Sequence, residues 1–389
     1  MILENTIGYS YNDITIIPNV TSKVQSRKLV DPFDNTYVPA KKCPNKKMLP
    51  IFTAPMSCVL DDVNYELFEA NHIYTVIPTT VVNAQRHVMF FAGGRFVSFS
   101  LDEAHDLILN EVYKKGFLKN HTYKLCIDCA NGHMDRLLFI CDRIKEFAKE
   151  RGCEIEIMTG NIANPNTWLE YNKHKIDYVR VGIGGGSGCT TTSNVSVHYP
   201  MATLLNNIKK LKENLKSQNK DFVVHTKIIA DGGIRNYSDV IKALALGADY
   251  IMIGGLFTKC LEAASTEYTI GKETNTNKEK YIETGLTINK YSNKEQEKRD
   301  YINKYKLFHE VYGMSTKRVQ KMRGNEELKT SEGTQHFTPI LYTLKQWSDN
   351  MESYLRSAMS YTECFILEQF KNEVDLIVNS NNAVNSVNK

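Results

Sequence analysis

Short apolar and β-branched runs recur along the chain, and apolar residues in the segments between several of them return every three or four positions. The runs are Ile51–Ala54, Tyr74–Ile77, Phe96–Phe99, Lys124–Ile127, Glu154–Met158, Tyr178–Val181, Lys227–Ala230 and Tyr250–Ile253. Runs this short and this apolar read as strands buried on both faces, and their alternation with helical segments predicts a parallel sheet. The clearest helix covers Met134–Lys149, where Leu137, Leu138, Cys141, Ile144 and Phe147 recur at spacings of one, three and four. A second covers Asn236–Leu246, with Ser238 or Asp239 near its start. Eight strand–helix units predict an α/β chain folded as a single (β/α)8 TIM barrel over 1–370. After the eighth strand comes a stretch rich in Asn, Lys, Glu and Thr, 272–304, which reads as a solvated insertion. A flap is expected over 305–340, and an Asn-rich tail, 371–389, is expected to fray.

Nearly every strand run is followed at once by polar or glycine residues: Pro55-Met56-Ser57, Thr79-Thr80, Ser100, Asp128, Gly160-Asn161, Gly182 to Cys189, Asp231-Gly232-Gly233 and Gly254-Gly255. In an eight-stranded barrel these positions share the C-terminal face, where active sites are built. The glycine pairs after strands seven and eight stand where such barrels commonly bind a phosphate, since a residue without Cβ lets backbone amides approach an anion. Plain tight turns are the alternative for either pair alone.

Composition narrows the function classes. At 42% hydrophobic and 24% charged the chain has an ordinary globular profile, and a net charge of +4 spread without basic stripes gives no reason to expect nucleic acid. No stretch approaches the ~20 apolar residues that span a bilayer, so neither a membrane partner nor a targeting segment is expected. Nine scattered cysteines do not resemble a disulfide framework, which fits a reducing, cytoplasmic setting.

The densest chemistry lies in 182–192, GIGGGSGCTTT, where five glycines in the first seven positions precede a thiol flanked by hydroxyls. Such a backbone can turn amides toward an anion or carbonyls toward a cation, and cysteine is the strongest neutral-pH nucleophile among side chains when its thiolate is favoured. Cys189 is therefore the candidate nucleophile, with Thr191 placed to shuttle a proton. The other cysteines read as small buried hydrophobes. Cys126 and Cys129 lack the second pair a zinc site needs, and strand alternation around Asp128 would point them apart.

These residues resemble the IMP dehydrogenase and GMP reductase family of purine nucleotide enzymes. GIGGGSGCTT at 182–191 is similar to the family's catalytic loop, and the likeness extends to Tyr11-Asn12-Asp13 with Ile16-Ile17-Pro18, TAPMS at 53–57, ADGGI at 230–234, MIGG at 252–255 and Tyr312-Gly313-Met314-Ser315. The resemblance implies that Cys189 attacks the purine C2 atom, with Thr191 and Glu332 relaying protons. Asp231 would bind the ribose hydroxyls, while Ser187, Gly233, Gly254, Gly255 and Tyr312 would hold the phosphate, with Gly232 and Gly313 also among the substrate-binding residues. Met56, Met314 and Ser315 would line the base, and Asp128, Asn131 and Gly132 would stand near a nicotinamide. It also implies a potassium ion on the carbonyls of Gly182, Gly184 and Cys189, and a homotetramer.

Within the family the reductase branch is favoured. The short passage from Thr80 to Phe96 leaves no room for the inserted regulatory domains usual in dehydrogenases, Cys126 to His133 and Ile157 to Asn161 resemble reductase signatures, and 317–329 holds no Arg-Tyr pair to activate a hydrolytic water. The expected reaction is the NADPH-dependent reductive deamination of GMP to IMP and ammonia. Three alternatives stay open: an IMP dehydrogenase without regulatory domains, a relative acting on another guanine nucleotide, and a silent nucleotide-binding barrel. Two departures stand out. SNVSVHYPM at 193–201 replaces the arginine and following run that the family shows after the catalytic Thr-Thr, which bears on the cation site, and His309 to Val311 separate Phe308 from Tyr312.

Overall fold

The computed structural model describes residues 7–35, 47–186, 191–272, 279–285, 288–322, 330, 333–380 and 383. Eight parallel strands form the centre: β1 (Ile51–Thr53), β2 (Val76–Ile77), β3 (Phe96–Phe99), β4 (Thr122–Ile127), β5 (Glu154–Ile162), β6 (Tyr178–Val181), β7 (Lys227–Asp231) and β8 (Tyr250–Ile253). Each pairs with its sequence neighbours, and β8 returns to β1. The ring closes between β1 and β2 through a single parallel bridge, Phe52 to Tyr74, with Tyr74 N–H donating to the Ile51 carbonyl at 2.9 Å. Tyr74, expected inside the second strand, therefore serves only as that bridge. The (β/α)8 barrel expected from the sequence is the fold observed.

Side-chain alternation sorts the strand residues into two cores. Ile51, Val97, Leu125, Ile157, Val179, Ile228 and Ile251 face the helices. Phe52, Val76, Phe96, Cys126, Met158, Tyr178, Ile229 and Tyr250 fill the barrel. One step further along β6 and β7, at the C-terminal end, the inward positions become charged: Arg180 follows Tyr178 and Asp231 follows Ile229. Asp128, just past β4, continues the Cys126 row. The helices match expectation closely. Asp135–Arg151 stops at Gly152, whose left-handed φ of 64° suits a residue without Cβ. Tyr237–Ala245 is capped by Asn236, whose side chain accepts from Asp239 N–H.

The region after β8 departs from expectation. It holds a four-stranded antiparallel sheet of β9 (Glu267–Lys272), β10 (Glu279–Glu283), β11 (Leu307–Tyr312) and β12 (Gln335–Pro339), in the order β10-β9-β11-β12. The polar stretch 272–304 thus contributes a strand to the flap, and its helix Glu295–Lys304 is docked by a buried ion pair, Lys298 Nζ to Glu262 Oε1 at 2.9 Å. His309 to Val311, which looked like a spacer, lie inside β11. The tail is also partly ordered, since Leu376–Val378 pairs antiparallel with Ile14–Ile16. Among the described residues no helix is long and apolar enough to cross a membrane.

Candidate active site

A cavity of about 610 Å³ opens at the C-terminal ends of the barrel strands, a size suited to a small-molecule ligand. The amino-terminal segment borders it with Ser10, Tyr11 and Asn12, and the flap with Val311, Gly313, Met314 and Ser315. Residues from nearly every motif singled out in the sequence meet here. Met56, Asp128, Gly182, Gly184, Thr191, Asp231, Gly232, Gly233, Gly254 and Gly255 all line the cavity. Ser187, Cys189 and Glu332 lie outside the described residues.

The glycines do different work. Gly254 leaves room for the Met56 side chain: a Cβ there would sit 2.6 Å from Met56 Sδ. Gly233, with φ of 75°, donates its N–H to the Gly185 carbonyl at 2.8 Å, so its amide ties the β7 turn to the β6 loop rather than standing open to a phosphate. A Cβ on Gly185 would lie 3.0 Å from that same nitrogen, so the two turns are stacked backbone to backbone.

Three expected contacts fall away from the cavity. Gly132 is buried against the end of β5, its N–H donating to the Asn161 carbonyl at 2.9 Å and its carbonyl accepting from Tyr171 at 2.7 Å. Asn131 is exposed, and its side chain closes a turn onto His133 N–H. Tyr312, expected near the phosphate, is buried with its ring under the Arg318 guanidinium at 4.5 Å and its hydroxyl 3.5 Å from Ser57 Oγ. The turn that follows it, not the tyrosine itself, reaches the cavity.

Two of the three carbonyls expected to hold potassium, those of Gly182 and Gly184, accept hydrogen bonds within the chain. The Gly182 carbonyl accepts from Asn161 Nδ2 at 2.8 Å, the Gly184 carbonyl from Thr192 Oγ1 at 3.1 Å, and His198 Nδ1 stands 2.7 Å from the Ile183 carbonyl between them. A cation cage requires oxygens that converge on the ion. Each of these carbonyls accepts one hydrogen bond from a side chain of the chain itself, and Cys189 lies outside the described residues.

The residue that sequence reasoning missed is Arg180. Its guanidinium reaches Asp128 Oδ1 through Nη1 at 2.8 Å and Asp231 Oδ2 through Nε at 3.1 Å, and Asn161 Nδ2 also donates to that Asp231 oxygen at 2.8 Å. Burial works against the charge, but the Asp231 and Asp128 carboxylates outweigh it and hold Arg180 above its ordinary range, firmly protonated. An arginine inside an otherwise apolar four-residue strand was the available signal, because a buried guanidinium requires partners. Tyr11 was also assigned no role. Its buried hydroxyl has no partner among the described residues, although its ring borders the cavity. The Cys126 and Cys129 thiols point apart as expected. Burial raises both, Cys126 to about 12 inside the barrel, so neither competes as a thiolate.

Comparison with known proteins agrees with this geometry. A family model described as the IMP dehydrogenase / GMP reductase domain matches residues 113–388. The inosine-5'-monophosphate dehydrogenase of Chlorobaculum parvum is 39% identical over 34% of this chain and 24% of its own length. The GMP reductase of Onchocerca volvulus is 30% identical over 61% of this chain and 53% of its own length. That of Buchnera aphidicola subsp. Baizongia pistaciae is 26% identical over 97% of this chain and 95% of its own length. The chain thus spans only about a quarter and about half of the first two relatives, and nearly all of the third. With more than half of its length matched by the family model, the chain belongs to the IMP dehydrogenase / GMP reductase family.

Proposed function

We propose that the protein reductively deaminates GMP to IMP and ammonia, with NADPH supplying a hydride to the purine C2 atom. The observation that carries this reading is the convergence of Met56, Asp128, Thr191, Asp231, Gly254, Gly255 and the Gly313–Ser315 turn on one cavity. The choice of the reductase reaction is supported by relatives named GMP reductase that align over 88–97% of their own lengths.

In this reading the Cys189 thiolate adds to C2 and Thr191 with Glu332 delivers the proton that lets the amine leave as ammonia, since an unprotonated amine is a poor leaving group. Hydride addition at C2 followed by cleavage of the carbon–sulfur bond regenerates the thiolate and gives IMP. Covalent attachment divides one difficult substitution into two easier steps. Asp231 binds the ribose, Met56 and Met314 flank the base, and Asp128 lies on the nicotinamide side. A cytoplasmic homotetramer completes the reading on the strength of the resemblance.

A second reading, oxidation of IMP with NAD, is favoured by the higher local identity to dehydrogenases, 39% over 133 residues. One assay separates the two. Mixing enzyme, GMP and NADPH should bleach the reduced nicotinamide band and release IMP and ammonia. Cys189→Ala should lower that rate by at least about a thousandfold while retaining nucleotide binding. Turnover only with IMP and NAD would replace the first reading by the second.

A further inference from the structure

We propose that Arg180 is a positioning residue that couples the two halves of the cavity, so that a purine nucleotide bound at Asp231 and a dinucleotide bound at Asp128 sense each other through one guanidinium. The inference rests on the reading above for which ligand meets which carboxylate. The linkage itself is geometric.

Asp128 follows β4 and Asp231 ends β7, and Arg180 projects from β6 to meet both. All three side chains are largely withdrawn from solvent, at 10% exposure for Arg180, 14% for Asp128 and 17% for Asp231. A guanidinium is planar, and its Nε and Nη1 donors hold a fixed angle. Using one donor for each carboxylate therefore fixes the two acids relative to each other. Asn161 braces Asp231 further by donating from Nδ2 to the same oxygen, Oδ2, that Arg180 holds, and the same nitrogen donates to the Gly182 carbonyl at the root of the catalytic loop. Among the described residues Asp231 Oδ1 accepts no hydrogen bond, which leaves that oxygen for a ribose hydroxyl. A ligand that draws either carboxylate toward itself moves the shared cation, and so alters what the other ligand meets.

Coupling of this kind is reciprocal and typically amounts to about 5- to 150-fold in affinity. The test titrates the full chain with GMP, IMP and NADP+ separately. Asp128→Asn should weaken GMP binding at least about fivefold although Asp128 lies on the dinucleotide side, and Asp231→Asn should weaken NADP+ binding to a similar degree. In an Arg180→Ala background both cross-effects should vanish. Guanidinium ion added to Arg180→Ala should restore both affinities together, which a generally loosened barrel would not do. GMP affinity within about twofold of wild type in Asp128→Asn, or a cross-effect that persists without Arg180, would overturn the coupling. Should Arg180→Ala not fold, the two aspartate variants alone decide. Failure of wild-type protein to bind either GMP or IMP would instead remove the functional reading, and the coupling with it.

Discussion

At Gly254 the backbone of one strand end decides the shape of the site contributed by another. The 2.6 Å separation between a Cβ there and Met56 Sδ means that alanine must displace the methionine side chain, which borders the cavity. Overpacking of this kind costs about 1–3 kcal/mol, and here it falls on ligand binding because Met56 borders the cavity. Gly254→Ala should therefore raise KM for the nucleotide by about tenfold with little change in Tm. An unchanged KM would show that Met56 does not line the base. Arg180 illustrates the opposite kind of residue, one whose importance lies in its partners. Its neighbours in sequence, Val179 and Val181, say only that a strand is present. The carboxylates that explain it arrive from β4 and β7, and local pattern cannot report a contact made across the barrel.

The flap sheet shows why some elements were legible and others were not. The barrel strands announce themselves because burial on both faces demands unbroken apolar runs. Strand β10, Glu279–Glu283, is exposed along its whole length, and its support comes from its ladder with β9 and from the Tyr281 ring, which reaches across the sheet to stack on Phe337 of β12 at 3.9 Å. A segment held that way reads as polar and loose. The same sheet carries a titratable group with a testable consequence. His309 on β11 is fully buried, with Nδ1 2.8 Å from the Thr258 carbonyl, and burial drops its pKa from 6.5 to about 4. Because the folded value is depressed, its contribution is complete above about pH 6.5 and is lost as pH falls from there toward about 4, at most about 3 kcal/mol. Tm of the wild-type protein should fall across that window, and His309→Phe should flatten the fall. Equal pH slopes in the two proteins would place the titration elsewhere.

Across the whole molecule, the ends of the described chain are joined beside the site. Leu376–Val378 pairs with Ile14–Ile16, and Asn379 N–H donates to the Asp13 carbonyl at 2.8 Å, directly after the Tyr11–Asp13 turn whose first two residues border the cavity. Composition alone hid this arrangement, because an Asn-rich stretch reads as a loose tail and its three-residue strand is too short to show a period. Removing 374–389 should lower Tm by about 5 °C and also raise KM for the nucleotide, as the turn bearing Tyr11 loses its support. A drop in Tm with unchanged KM would separate the tail from the site. The proposed reaction makes one chemical claim: that a hydride reaches C2 of the purine ring held on Cys189 after the amine has left. Turnover of GMP with NADPH carrying deuterium at the transferable position tests it most directly, with the product examined by mass spectrometry and NMR. The predicted result is IMP bearing a single deuterium at C2 together with released ammonia, and IMP formed without deuterium at C2, or no IMP from GMP at all, would contradict it.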